Sequence, residues 1–335
     1  MREERMSKTK SEDFGMTSHY WDGDVDKLVG RYWSRKINGF SAIWDGGVTR
    51  GRPASDCPWY TKGGDKEIPL STGLWSLGRN GVVKVLHAPP AWLDRLPIGI
   101  PVHGELWYQD NTEYLKKHVK KKSPNFMYWN PIQFIIFSVK PYCTFPSIGL
   151  VDPDISESRF FHQRGQGKLL DWARELVTVN RTVSFIEMNM INSKVQGLEV
   201  LENFGRKSNW EGLMFLDPEL RYEGKRSRGV LKYKPTFEDE AIVTGYEEGT
   251  TGARIGRVGT ILAKYVITEK CSSLCGYKPD MLNRLVEIRI SGLTSVEQEW
   301  DIVKEMYPTG SEIRFGYKLF SEHGQPQSCN IYRGL

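Results

Sequence analysis

The sequence contains no apolar run approaching the length of a membrane span and no signal-peptide core, so it reads as intracellular and cytoplasmic, with no membrane partner. Internal repeats and low-complexity segments are also absent. The five cysteines, Cys57, Cys143, Cys271, Cys275 and Cys329, are odd in number and scattered. That distribution argues against a disulfide framework and fits a reducing compartment. Cys271 and Cys275 are spaced like the first half of a metal site, but no second close Cys/His pair follows, so they read as two thiols in a loop.

What is present fits a globular chain. With 335 residues, 39% hydrophobic and 26% charged, it is long enough to bury a substantial core in one large domain or in two or three. The net charge of +5 tilts it towards polyanions, a property shared with basic proteins that never bind nucleic acid. Two basic groups stand out, Lys116, Lys117, Lys120, Lys121 and Lys122, and Lys225, Arg226 and Arg228. Each suits phosphates or a solvated surface equally well.

Residues 1–30 are polar and lack hydrophobic periodicity, which predicts a flexible N-terminal tail with the fold beginning near Tyr32. From there to about Pro235, short β-rich runs such as Phe134-Ile135-Ile136-Phe137 alternate with turns and a helix near 167–177. This is an α+β pattern. Residues 51–72, rich in glycine, proline and charge, read as a surface insertion, and 141–154 as a second long loop. After Pro235 the pattern becomes strands at 241–246, 257–263, 285–290 and 312–318. Thr294 and Glu297 form a capping-box pattern, with Val296, Trp300 and Val303 as one apolar helix face. Five strands with one interposed helix would suit a closed OB-fold barrel over 237–335, after a first domain over 31–236.

Chemistry concentrates at Lys36-Ile37-Asn38-Gly39, where a lysine sits between the aromatic pair Tyr32-Trp33 and the apolar run Ala42-Ile43-Trp44. Taken alone, a lysine beside a glycine turn is usually a solvated surface residue. Its company changes that reading. Downstream come His103-Gly104-Glu105-Leu106-Trp107, the aromatic strand 134–138, Glu211-Gly212-Leu213-Met214 and Leu231-Lys232-Tyr233-Lys234, in that order.

This ordered set resembles the nucleotidyltransferase motifs shared by ATP-dependent DNA ligases, RNA ligases and capping enzymes. Within that group it is most similar to the small DNA ligases of phages and bacteria: Trp44-Asp45-Gly46 follows the lysine motif, Gly104-Glu105-Leu106-Trp107 keeps their GELW form, and Ala88-Pro89-Pro90-Ala91-Trp92 with Leu96-Pro97 matches a segment that precedes it. The resemblance runs from about Tyr32 to the C-terminus. It implies an ATP-grasp-like nucleotidyltransferase domain followed by an OB-fold, acting as a monomer on nicked duplex DNA in phage replication or DNA repair.

The resemblance also implies roles. Lys36 would attack the α-phosphorus of ATP, release pyrophosphate and hold AMP as a phosphoramidate, which needs an unprotonated amine placed in line. Lys232 and Lys234, two apart on a strand and so facing one way, would hold the triphosphate. Glu105 would bind the ribose, Phe137 would stack on adenine, and Glu211 would bind Mg²⁺, or another divalent ion such as Mn²⁺, near the phosphates. Arg79 is the candidate phosphate-contacting arginine, with Arg50 as its competitor.

Three departures stand out. Asn38 replaces the usual aspartate of the lysine motif and can donate as well as accept hydrogen bonds, without the charge. Ser41 stands where many members carry an arginine for the nick phosphate. Near the C-terminus Gly324, Pro326 and Arg333 remain of a longer pattern, leaving Arg333 as a phosphate contact or a solvated terminal residue. An RNA ligase or mRNA-capping guanylyltransferase uses the same lysine chemistry and remains an alternative, as does a non-catalytic nick-binding module.

Overall fold

The computed structural model of the protein describes residues 15–57, 59–61, 67–78, 82–140, 164–205, 210–222, 225–250, 252–269, 271, 277–321 and 324–333. Chain contacts divide it into two units, residues 1–198 with 213–233, and residues 199–212 with 234–335.

The first unit holds two sheets. One contains β1 (Thr17–Tyr20), β2 (Tyr32–Arg35), β9 (Asn189–Met190), β10 (Leu213–Leu216) and β11 (Arg226–Tyr233), in the order β1-β11-β10-β2-β9. The other contains β3 (Phe40–Trp44), β4 (Leu74–Leu77), β5 (Val83–Val85), β6 (Val102–Trp107), β7 (Gln133–Val139) and β8 (Val183–Phe185), in the order β5-β4-β3-β6-β7-β8. The short link from β2 to β3 carries the chain from one sheet to the other, and Lys36 lies in that link.

Helices cover the apolar face of the second sheet. They are α1 (Pro90–Leu93), α2 (Thr112–Val119), α3 (Phe126–Trp129) and α4 (Gln166–Leu176). Asn111 and Asn125 start α2 and α3 by accepting the Tyr114 and Met127 backbone N–H groups at 2.8 Å each, satisfying donors that a helix end leaves open. Leu169, Leu170 and Ala173 of α4 face inward. They join Ala42, Trp44, Leu106, Phe134 and Ile136 in one core, where Trp92 and Trp129 meet edge to face with centroids 4.9 Å apart. Each large aromatic of that kind removes about 150–250 Å² from water, roughly 4–6 kcal/mol of transfer free energy.

Two expectations differ from the structure. The fold begins before Tyr32: β1 pairs in parallel with β11, Ser18 opposite Ser227 and Tyr20 opposite Lys232, and Leu28 is fully buried. A polar four-residue strand held by a partner more than two hundred residues away leaves no local periodicity to read. Residues 51–72 likewise do more than loop over the surface. Ala54, Cys57 and Trp59 are buried in a small separate core with Ile43, Trp75 and Val83, with Trp59 edge-on to Trp75 at 5.6 Å. Burial pushes the Cys57 thiol up to about 12.

The second unit carries a five-stranded sheet, β14-β13-β12-β15-β18, made of β12 (Phe237–Glu248), β13 (Val258–Val266), β14 (Leu285–Ile290), β15 (Glu312–Tyr317) and β18 (Asn330–Ile331). β16 (Leu319–Phe320) and β17 (Pro326–Gln327) form a separate ribbon. The four strands expected here are present, each within a few residues of its expected bounds. The capping box forms as well: Glu297 accepts the Thr294 N–H at 2.7 Å, and the Glu297 N–H donates to the Thr294 hydroxyl at 3.3 Å. The helix itself runs only over Trp300–Met306. Val303 is buried while Val296 is exposed, because 295–298 are turn residues ahead of the helix and do not share its period. Cys271 is a core thiol hydrogen-bonded with the Tyr265 and Tyr317 hydroxyls, and Cys275 lies outside the described residues.

Candidate active site

The β2–β3 link is held against β6 by the absence of a side chain at Gly39. A Cβ there would come within 2.4 Å of the Leu106 carbonyl oxygen and 2.5 Å of the Glu105 side chain. The glycine of the lysine motif is therefore required by close backbone approach, and that approach sets the Lys36 segment beside Glu105. Gly104 is equally constrained, since a Cβ would meet the Ile135 carbonyl oxygen at 2.6 Å.

Ser41 and Ile43 of β3 pair with Glu105 and His103 of β6, so these four residues share one face of the sheet, opposite the face that packs Ala42, Trp44 and Leu106 into the core. Phe137 lies on the same face by alternation, two residues on from Ile135, which pairs with Glu105. Gly104 pairs with Ile136 and His103 with Ser138, so Phe137 is the additional residue of a bulge and has no partner across the ladder. Its ring lies 4.6 Å from that of His103 and stays half-buried.

Beneath this face lies a buried polar network for which the sequence offers little signal. His103 Nε2 is 2.9 Å from the Ser41 hydroxyl, and Nδ1 is 3.5 Å from the Tyr222 hydroxyl, which also accepts the Met16 N–H at 3.3 Å. A neutral imidazole satisfies both contacts by donating at one nitrogen and accepting at the other. Burial, reinforced by the Lys140 ammonium, holds His103 down at about 3. Lys140, fully buried, sits 4.9 Å above the Tyr222 ring. Gln166 bonds both backbone groups of Val139 and the Ser138 hydroxyl, fixing the end of β7.

In the neighbouring sheet, Met214 pairs with Ser34 on one side and Lys232 on the other, so Ser34 and Lys232 share a face two residues before Lys36. The Lys232 ammonium sits 4.3 Å from the centroid of the Tyr20 ring. Lys36 Nζ donates to the Ile37 carbonyl at 3.4 Å. Asn38 donates to the Asp110 carbonyl at 3.4 Å. Lys36, Asn38, Glu105 and Phe137 are thus carried by adjoining segments of one unit, together with Lys232.

Glu211 and Lys234 lie in the second unit, where the lysine ammonium is paired with the buried Glu211 carboxylate. Arg79 lies outside the described residues. Its competitor Arg50 is engaged by Asp94 at 2.7 Å. Arg333 binds both Glu297 oxygens at 2.9 and 2.6 Å and the Gly292 carbonyl at 3.0 Å, so its guanidinium is engaged within the unit although the side chain stays half in water. Among the described residues, no group of three or more His, Cys, Asp or Glu side chains gathers as a metal cage, and no helix is long and apolar enough to cross a membrane.

The segments around the lysine motif are tied to each other. Trp44 Nε1 donates to the Pro97 carbonyl at 2.7 Å, and the Gly99 N–H to the Gly46 carbonyl at 2.9 Å. Asp45, buried, accepts from Gly47 N and from Trp75 Nε1 at 2.9 and 3.0 Å, and burial raises its pKa despite those donors.

No family model and no curated protein sequence matches this chain. Solved structures do. A structure of the Lig E DNA ligases, studied for DNA binding with a minimal scaffold, aligns over 96% of this chain and 98% of its own, with a TM-score of 0.61 and 19% identity. A second, Pmar-Lig_Pre, aligns over 96% of this chain and 67% of its own, with a TM-score of 0.63 and 16% identity. The chain therefore has the mixed α and β fold of DNA ligases.

Proposed function

We propose that this protein is an ATP-dependent DNA ligase that seals 5′-phosphate/3′-hydroxyl nicks in duplex DNA through AMP carried on Lys36. The observation that carries the reading is the close approach at Gly39, which sets the Lys36 segment against Glu105 on the face that also carries Phe137. A purine ring stacked on Phe137 with its ribose hydroxyls on Glu105 would turn the α-phosphate towards Lys36.

Three transfers follow. The Lys36 amine forms a bond to the α-phosphorus, loses a proton and expels pyrophosphate. An oxygen of the nick's 5′-phosphate then attacks that phosphorus, breaking the P–N bond and taking AMP. The 3′-hydroxyl finally attacks the 5′-phosphorus, with AMP leaving. Lys232 would contact phosphate. Glu211 fits a site for Mg²⁺ or Mn²⁺ of the kind that uses one carboxylate plus phosphate and water oxygens, with its bond to Lys234 exchanged for the ion. Bound there, the ion would offset charge on the phosphate oxygens.

The same reading takes 31–236 as the nucleotidyltransferase domain and 237–335 as an OB-fold. Closure of that barrel is supported by the parallel bridge from Ser291, next to β14, to Asn330 of β18 at the other edge of the sheet. The protein would work as an intracellular monomer on nicked duplex DNA, with Arg79 as a further phosphate contact.

The test is incubation of wild type and Lys36→Ala with Mg²⁺ and α-labelled ATP or GTP, followed by nicked DNA. Label from ATP on wild type alone, released as the nick is sealed, is the expected result. Label from GTP would move the protein to the capping enzymes, and no label on protein first stripped of bound AMP would leave a nick-binding module.

A further inference from the structure

One residue that no motif contains reaches the chain on either side of Lys36. Arg35, immediately before the lysine, pairs through its guanidinium with the Asp110 carboxylate. Asn38, two residues after it, donates its amide to the Asp110 backbone carbonyl at 3.4 Å. Asp110 is itself fixed. Its other carboxylate oxygen accepts the Trp107 indole N–H at 2.9 Å, and the Arg35 guanidinium lies 5.9 Å from the centroid of the Trp107 ring. Both ends of the ion pair are shielded, with the Arg35 and Asp110 side chains 23% and 15% exposed.

The backbone adds a second observation. Gln109 and Asp110 have φ values of 47° and 56°, a left-handed pair of non-glycine residues between β6 and α2. That conformation is disfavoured for most side chains and persists where surrounding contacts enforce it. Here the turn aims one residue's carboxylate and carbonyl at two points of the same loop.

We propose that Asp110 is the positioning residue of the nucleophile: its carboxylate holds Arg35 and its carbonyl holds Asn38, so that Lys36 is presented from a segment pinned on both sides. The proposal rests on the reading of Lys36 as the adenylylated lysine. It also accounts for Asn38 in place of aspartate. The atom facing position 38 is a carbonyl oxygen, which accepts and cannot donate, so an amide satisfies it and a carboxylate repels it.

Asp110→Ala is expected to lower the rate of Lys36 adenylylation at saturating ATP by about tenfold to a hundredfold, the penalty for a reacting group held loosely, while half-saturating ATP changes by less than about threefold, since nothing that contacts the nucleotide is removed. Both variants keep the backbone carbonyl that receives Asn38, but Asp110→Asn also keeps an acceptor for Trp107 and a residue type that tolerates left-handed backbone, so it should fall between Asp110→Ala and wild type. Asn38→Asp should slow adenylylation about fivefold, as expected for one lost hydrogen bond.

The second readout is amide hydrogen exchange over residues 33–39 without nucleotide, expected to quicken in Asp110→Ala and to stay near wild type in Asp110→Asn. Wild-type adenylylation rates in Asp110→Ala with unchanged exchange would overturn the proposal, as would a loss confined to ATP affinity. A wild-type chain that takes no label refutes the ligase reading instead, and exchange over 33–39 still decides whether Asp110 pins the segment. If Asp110→Ala melts globally, Arg35→Gln removes the other end of the same pair and is read by the same two measurements.

Discussion

Replacing Arg333 by alanine tests whether the last strand's neighbourhood is built for stability or for phosphate. Arg333 grips both oxygens of Glu297, whose side chain is 7% exposed against 45% for the arginine. Those bonds, with the Thr294 N–H and hydroxyl, hold the Glu297 carboxyl down at about 2 from its ordinary 4.5. At 1.36 kcal/mol for each tenfold change, that depression sets a ceiling of about 3.4 kcal/mol. The arginine is half in water and the Thr294 donors survive its removal, so Arg333→Ala should cost about 1–2 kcal/mol at pH 7. The sign follows from a depressed carboxylate: the stabilisation is complete above about pH 4.5 and disappears as pH falls towards 2. Urea unfolding at pH 7 and pH 3 should therefore show the gap between wild type and variant narrowing, and an NMR titration of the Glu297 carboxyl carbon should show it rising towards 4.5 in the variant. A Glu297 that still titrates near 2 without Arg333 would refute the argument. So would a fall of about 0.9 in the salt-dependence slope for nicked duplex, the signature of one lost phosphate contact.

Other outcomes follow from the first unit. Gly39→Ala should abolish or severely reduce lysyl-AMP formation while leaving the protein folded by circular dichroism, because the added carbon meets the Leu106 carbonyl and Glu105 and must drive the Lys36 segment away from β6; wild-type labelling would contradict the close approach. His103 should remain neutral in NMR titrations down to about pH 4. Its folded pKa lies below that of the unfolded chain, so its contribution is fully present above about pH 6.5 and declines as pH falls towards 3, by up to about 1.4 kcal/mol per pH unit. His103→Phe should flatten that part of the stability profile, and a profile unchanged by the substitution would show that the ring is not held as described.

Much of this architecture was legible because its signals are local. The strands of the second unit alternate cleanly: Ala241 and Val243 are buried with Ile242 exposed between them, and Ile288 and Ile290 flank an exposed Arg289. The lysine, GELW, aromatic-strand and Lys-x-Lys segments are likewise short and local, each read from its own residues, and the likeness of fold to a Lig E DNA ligase stands at 19% identity. What stayed hidden depends on distant partners. β1 exists only because β11 accepts it, and the core of residues 51–72 only because Ile43, Trp75 and Val83 turn towards it.

The candidate site divides along the same line. Lys36, Glu105 and Phe137 announce themselves by residue type and order, but the bulge that leaves Phe137 without a partner across the ladder is one extra residue, and no pattern of the strand 133–139 predicts where it falls. His103, Tyr222 and Lys140 carry no motif weight, yet they form the buried floor against which Phe137 rests. Asp110 is the sharpest case. In sequence it is a turn aspartate after an aromatic strand, while in the fold its carboxylate and carbonyl reach the residues before and after Ile37 and Lys36. Asn38, read from the sequence as a weakened motif, thus gains a partner that an aspartate would lack. The amide at position 38 and the turn that receives it are two halves of one local solution, and Asn38→Asp alone should restore the aspartate of the resembled motif while slowing adenylylation.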